Sequence, residues 1–218
     1  MQSMRALFAT AVMVLLIVAN APTSQAATGL AVLSPDEAAA VHRVVRYLND
    51  LSTLRARFVQ VSSNGTYAEG EVVVERPGHM RFEYDAPNPV LLIADGLNLL
   101  YYDRDLKQAS FLPLWETPLW FLIREDVQLS DDTQVVAVEQ GQGVLKITLR
   151  NTDSIDAGSV TLIFEDSPLA LRKWELVDAQ GIATQVSLIN PEYDVPIDPK
   201  IFTYDDLQIG SGTRRQSR

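Results

Sequence analysis

The stretch LRARFVQVSSNGTYAEGEVVVER, residues 54–76, decides the fold class. Two runs of strand-forming residues flank the dipeptide Asn64-Gly65. This dipeptide favours the tight turn of a β-hairpin, because both of its residues readily adopt a positive φ. Residues 54–76 therefore predict two antiparallel strands joined by a short turn.

The same pattern recurs along most of the chain. Further strand-like runs alternate with short turns rich in glycine, aspartate and asparagine. With the first hairpin they make eleven strand candidates, at residues 54–62, 66–76, 80–84, 89–94, 97–103, 107–112, 134–140, 143–151, 159–165, 171–178 and 182–189. The short connections predict an antiparallel meander, in which each strand pairs with the next.

One amphipathic helix precedes the strands. Ser34 and Glu37 form the sequence pattern of a capping box, and Pro35 occupies the first helical position. Apolar side chains then recur at helical spacing, at Val41, Val44, Val45 and Leu48. We expect a helix of about four turns that packs one face on the sheet.

A long meander curls, and its concave face must be covered. Residues 91–93 and 97–102 are apolar on both faces, more surface than one helix can cover. The apolar segment LWETPLWFLIR, residues 114–124, is suited to cover it, with Thr117-Pro118 as the start of a short helix at Leu119–Ile123. The pattern leaves two interpretations open, a static plug in the core and a movable lid.

The first residues have the pattern of a secretory signal peptide. A single arginine, Arg5, precedes the apolar run Ala6–Ala21, and Ser24 and Ala26 make a small-x-small cleavage site. A membrane anchor is the alternative, although the run is short for a span. We predict a signal peptide at residues 1–26, one domain at 27–208 and a disordered tail at 209–218.

Composition excludes several classes of function. The net charge of −10 opposes binding to nucleic acid and to anionic membranes. The chain has no cysteine, which removes thiol catalysis and thiolate metal sites. Its two histidines, His42 and His79, lack second ligands at metal-site spacing, and no nucleophile–base or phosphate-loop motif occurs. We therefore expect no enzyme activity, no metal and no cofactor.

The order of several short motifs resembles the outer-membrane lipoprotein carrier (LolA) family. The matching segments extend from Leu54 to Ile123, and a shorter match, IFTY, occurs at 201–204. They are FVQ at 58–60, EGEVVVERPG at 69–78, MRFEY at 80–84 with Pro87, ADG to YYD at 94–103, KQ at 107–108 and TPLWFLI at 117–123.

The resemblance implies a mainly β fold, an incomplete antiparallel barrel of about eleven strands around an apolar cavity. An N-terminal helix and a short helical lid would cover it. In this family the arginine of the Arg-Pro motif, here Arg76, hydrogen-bonds the lid and holds it shut. From the pattern alone, Arg76 is equally an exposed strand arginine before a turn.

The resemblance also implies which side chains form the cavity wall or the lid. They are Phe58, Val72, Val74, Arg76, Met80, Phe82, Tyr84, Leu92, Leu99, Tyr101, Trp115, Leu119, Trp120 and Ile123. The family often has larger aromatic residues where this chain has Met80, Phe82 and Leu100, so the shape of the cavity is expected to differ.

By resemblance the protein is a monomeric periplasmic carrier of acylated lipoproteins, without stable membrane insertion. Its partners would be an inner-membrane ABC transporter as donor and an outer-membrane receptor lipoprotein as acceptor. The receptor is anchored through an N-terminal cysteine, which this chain lacks. Two alternatives stay open: a carrier for another amphiphile such as a glycolipid, and a sensor module of the same fold for lipid or misfolded protein.

Overall fold

The computed structural model describes residues 33–117, 119–128, 133–152, 158–205 and 207. The predicted signal peptide and the predicted disordered tail lie outside these residues, as does Pro118. The described part contains no helix long and apolar enough to span a membrane.

Within these residues eleven strands form one antiparallel sheet, which confirms the predicted antiparallel arrangement. Each strand pairs with the next, except that the sixth strand does not pair with the seventh. The strands are β1 (Thr53–Ser62), β2 (Tyr67–Glu75), β3 (His79–Tyr84), β4 (Val90–Asp95), β5 (Asn98–Asp103), β6 (Gln108–Pro113), β7 (Thr133–Gly141), β8 (Val144–Asn151), β9 (Ser159–Asp166), β10 (Leu169–Val177) and β11 (Ala183–Tyr193). Their order is β6-β5-β4-β3-β2-β1-β11-β10-β9-β8-β7, so β1 pairs with β11 and the sheet ends at β6 and β7.

The sheet is strongly curled without closing. The rings of Phe82 on β3 and Trp174 on β10 meet edge to face with their centroids 6.1 Å apart. Three strands, β2, β1 and β11, separate β3 from β10 in the sheet. The two rings can therefore meet only across a concave interior, which confirms an incomplete barrel.

Helix α1 (Pro35–Asp50) covers part of this interior, as its periodicity predicts. The capping box is present: Ser34 Oγ accepts from the Glu37 amide, and Glu37 Oε2 accepts from the Ser34 amide. These bonds lower the pKa of the Glu37 carboxyl. The helix buries Ala40, Val41, Val44 and Leu48 against the sheet.

A second apolar cluster covers the convex side of β2 to β6. The buried Phe202, in a 3₁₀ turn at Pro199–Phe202, packs there with strand residues and with other residues of the C-terminal segment. Its buried members are Val73, Leu91, Ile93, Leu100, Tyr102, Ala109 and Phe202. Residues 114–124 therefore cover only one of the two apolar faces, and the C-terminal segment with Phe202 covers the other.

Candidate functional site

The concave interior holds most of the predicted wall residues. A packed apolar cluster fills the space where the cavity is expected. Seven predicted residues are buried members of it: Phe58, Val72, Val74, Met80, Phe82, Leu99 and Ile123. Four others are partly buried against it: Tyr84, Leu92, Leu119 and Trp120. The structure thus brings eleven of the predicted apolar and aromatic residues into one apolar region, while their ligand-binding role stays a prediction.

Two predicted residues lie at the rim instead. Tyr101 is two residues from Leu99 on β5 and shares its inward face, but 41% of it is exposed. Trp115 lies in the 3₁₀ turn Leu114–Glu116 and is 56% exposed. Sequence patterns do not separate rim residues from interior residues here, because both kinds sit within apolar runs. Their exposure depends on how far the neighbouring elements extend over them.

An aromatic group occupies the part of the interior next to β1–β3. The Phe58 ring contacts Phe82 and Tyr84 edge to face, at centroid distances of 5.0 and 5.2 Å. Gly70 makes room for it, because a Cβ there would lie 2.7 Å from the Phe58 ring and 2.2 Å from the Glu83 carbonyl oxygen. The Tyr84 hydroxyl donates to Gln60 Oε1, and burial raises its pKa to about 12.

Residues 114–117 and 119–128, here called the lid, lie in the chain between the two end strands of the sheet. Helix α2 (Trp120–Ile123) directs Phe121, Leu122 and Ile123 into the interior, where all three are buried. The Leu114 amide donates to Leu97 O, on the β4–β5 side, at 3.0 Å. On the other side, Trp120 and Phe121 line a small gap with Asn151, Ser159 and Val160. The lid therefore bridges the unclosed seam.

The predicted start of the lid helix is wrong in detail. Helix α2 begins at Trp120 with Leu119 as its N-cap, and no side chain caps it. The Thr117 hydroxyl instead donates to Leu114 O at 2.8 Å, so it ends the preceding 3₁₀ turn. A cap signal in sequence does not specify which of two adjacent turns it serves.

Arg76 holds the C-terminal end of the lid. Its Nη2 donates to Arg124 O at 2.5 Å and to Glu125 O at 3.4 Å, while Nη1 donates to Leu51 O at 3.4 Å. Burial lowers the pKa of its guanidinium, and the charge of Asp126 acts in the opposite sense. The alternative of an ordinary exposed strand arginine does not fit these contacts. Its function as a latch stays a prediction.

Asn49 is a second lid contact, and sequence patterns did not identify it. Its Oδ1 accepts from the Val127 amide at 2.9 Å, and its Nδ2 donates to Val127 O at 3.2 Å and Asp126 Oδ1 at 3.3 Å. The residue lies near the polar C-terminal end of α1, where asparagine is unremarkable. A pairing across 78 positions leaves no local signal.

The turn between β2 and β3 supplies a third contact. The Gly78 amide donates to Ile123 O at 2.6 Å, and Gly78 O accepts from the Gly96 amide at 3.1 Å. Gly78 has a φ of +79°, and a Cβ on it would lie 2.8 Å from Gly96 Cα. Only glycine fits, because both the backbone conformation and the close approach exclude a side chain.

Comparisons of the sequence with known proteins show the family of this chain. The family model for the outer membrane lipoprotein carrier protein LolA matches residues 49–205, most of the chain. The chain belongs to this family. It is 28% identical over 189 residues to the outer-membrane lipoprotein carrier protein of Pseudomonas paraeruginosa, covering 82% of this chain and 89% of that protein.

A second carrier protein, from Alkalilimnicola ehrlichii, is 30% identical over 193 residues, and the alignment covers 81% of this chain and 87% of that protein. Among solved structures, a putative outer membrane lipoprotein-sorting protein domain from Vibrio parahaemolyticus aligns with 77% of this chain and 97% of its own. Its identity is 10% and its TM-score 0.48. The family match includes Arg76 and the lid but not the predicted signal peptide.

Proposed function

We propose that this protein is a soluble periplasmic carrier that shields the acyl chains of lipoproteins between the inner and the outer membrane. The observation that carries the proposal is the pairing of an apolar interior with a short lid that fills it. The relatives named as lipoprotein carriers support the same assignment.

The free energies of burying the ligand and of opening the lid suit reversible binding. Burying a chain of about sixteen carbons is worth on the order of 10 kcal/mol. Withdrawing Phe121, Leu122 and Ile123 from the interior exposes three apolar side chains, at about 1.5–3 kcal/mol each. Opening the lid thus offsets a large part of the gain, which keeps the ligand releasable.

The contacts that hold the lid are also of a reversible kind. Arg76, Asn49 and Gly78 all bind backbone atoms of residues 123–127. Water can replace each of these hydrogen bonds once the segment moves, so the net cost of breaking one is modest. The lid can therefore leave as a unit while the sheet stays intact.

Direction would come from partners of graded affinity. We infer that an ABC transporter of the inner membrane loads the carrier and that an outer-membrane receptor lipoprotein unloads it. The proposed domain, residues 27–208, would act as a monomer after removal of residues 1–26, without a cofactor and without catalysis.

The test is to isolate the protein from periplasm and identify its bound molecules by mass spectrometry. Arg76→Leu and the wild type are compared, and native mass is measured to check the monomer. Acylated lipoproteins bound one to one would support the proposal. Recovery of glycolipid or free lipid alone would favour a carrier for another amphiphile, and recovery of non-acylated misfolded protein would favour a sensor module.

A further inference from the structure

A buried polar group lies inside the apolar interior. Trp174 on β10 is 1% exposed and belongs to the interior cluster with Phe82 and Leu162. Its indole Nε1 is fully buried and has no hydrogen-bond partner among the residues that the structure describes. A buried indole N–H normally has an acceptor, so this unpartnered donor requires an explanation.

The register places Trp174 just below the lid. Val160, which lines the gap beneath Trp120 and Phe121, pairs with Leu176. Leu162, the next inward-facing residue of β9, pairs with Trp174. Trp174 is thus one inward-facing position deeper than the covered opening. A ligand that entered beneath the lid would meet its N–H near the start of its apolar chains.

A polar group at this depth gives no advantage to a pure hydrocarbon. An acyl ester has a carbonyl oxygen at the junction of its chain and its glyceryl group, and this oxygen accepts one hydrogen bond. The neighbours of Trp174 in the sheet, Leu162 and Val186, are apolar and offer no side-chain acceptor. A carbonyl that comes with the ligand would therefore satisfy a donor that has no partner among the described residues.

We propose that the Trp174 indole N–H donates to an acyl-ester carbonyl of the bound lipid and so distinguishes ester-linked chains from bare alkyl chains. This inference rests on the proposed function and adds the chemical group that is recognised. The energy is that of one neutral hydrogen bond, which corresponds to an affinity difference of about threefold to tenfold.

The test uses two synthetic lipopeptides with equal chain lengths, one with two ester-linked chains and one with the same chains linked as ethers. The wild type should bind the ester form about threefold to tenfold more tightly. Trp174→Phe should bring this ratio to about one. Trp115→Phe, the same substitution at the exposed rim, should keep the wild-type ratio whatever it does to the affinity.

NMR of the indole N–H groups provides a measurement that does not depend on the stability of Trp174→Phe. The chain has three tryptophans, so three indole signals are expected, and Trp115→Phe and Trp120→Phe identify the third by elimination. The Trp174 N–H proton should move downfield with the ester ligand and not with the ether. A phospholipid with the same ester-linked chains should produce the same shift, because the ester and not the peptide is recognised.

The outcomes separate the two proposals. Equal binding of ester and ether by the wild type, or an unchanged ratio in Trp174→Phe, would overturn the role of Trp174 while the carrier function stands. If Trp174→Phe weakens the binding of both lipopeptides, ester and ether alike, but not that of the phospholipid, the role of Trp174 is overturned as well. Failure of the wild type to bind any of the ligands would contradict both proposals.

Discussion

Arg76 at the end of β2 and Arg124 at the end of α2 are joined by a 2.5 Å hydrogen bond from a guanidinium nitrogen to a backbone oxygen. The acceptor is the backbone carbonyl oxygen of Arg124, so this contact does not depend on which side chain occupies position 124. The lid is thus held by its backbone at one end, and its apolar side chains occupy the interior.

Replacing Arg76 with leucine should loosen the lid. The variant loses a charge-assisted hydrogen bond to Arg124 O, and such bonds contribute about 1.5–3 kcal/mol. We expect about a tenfold or greater shift towards the open form, measured as increased fluorescence of a hydrophobic dye. Arg55→Leu, which removes the ion pair of Arg55 with Glu71 on β1 and β2, is the matched control. Equal dye binding by both variants would contradict the latch.

Replacing Asn49 with alanine should release the same segment from the helix side. Val127 would lose the acceptor of its amide and the donor to its carbonyl, at a cost of about 1–3 kcal/mol. Hydrogen–deuterium exchange of residues 119–128 should speed up without change in the strands. Asn88→Ala, which removes a side-chain acceptor from the β3–β4 turn, should leave that exchange as in the wild type. Unchanged exchange in Asn49→Ala would remove this residue from the lid contacts.

Trp120 should report whether the lid moves. It is partly buried at the gap between the lid and β9, so withdrawal of α2 changes its surroundings. The emission of Trp120 is obtained by subtracting the spectrum of Trp120→Phe from that of the wild type. This emission should shift to longer wavelength on addition of a diacyl lipopeptide. Trp115→Phe should keep this shift. Ligand binding with no change in the Trp120 signal would establish the static plug.

Phe202 should be needed for stability although it lies on the convex side. Its ring is buried in the outer cluster, and truncating such a phenylalanine costs about 3–5 kcal/mol. Phe202→Ala should lower the free energy of unfolding in urea by this amount, while Phe111→Ala, at a ring that is 42% exposed, should cost clearly less. A loss in Phe202→Ala no greater than that in Phe111→Ala would mean that the outer cluster contributes little.

A side chain at Gly70 should lower the stability of the protein. Because a Cβ there would meet the backbone oxygen of Glu83 at 2.2 Å, Gly70→Ala requires strand β2 to shift. We expect a loss of about 1–3 kcal/mol or more in urea unfolding. Gly141→Ala is the control, since a Cβ there has nothing within 4 Å. If both variants unfold at the same urea concentration, the close approach is unimportant.

The sequence by itself determined the local structure. Alternating apolar residues and Asn64-Gly65 specify strands and a turn, and Ser34 with Glu37 specifies the start of α1, because neighbouring residues carry these signals. Motif order also pointed to the family and to Arg76. The number of strands and the need for an apolar segment to cover the interior followed from these patterns together, while the choice between a static plug and a movable lid stays a prediction.

Only the tertiary structure decided which surface each apolar segment covers. Residues 91–93 and 97–102 are apolar on both faces. No local pattern determines whether the lid or the C-terminal segment with Phe202 packs on the outer face. The pairing of Asn49 with Val127 and the burial of the Trp174 N–H depend likewise on the curl of the whole sheet. Packing free energy is gained between segments far apart in the chain, so local patterns leave these choices undetermined.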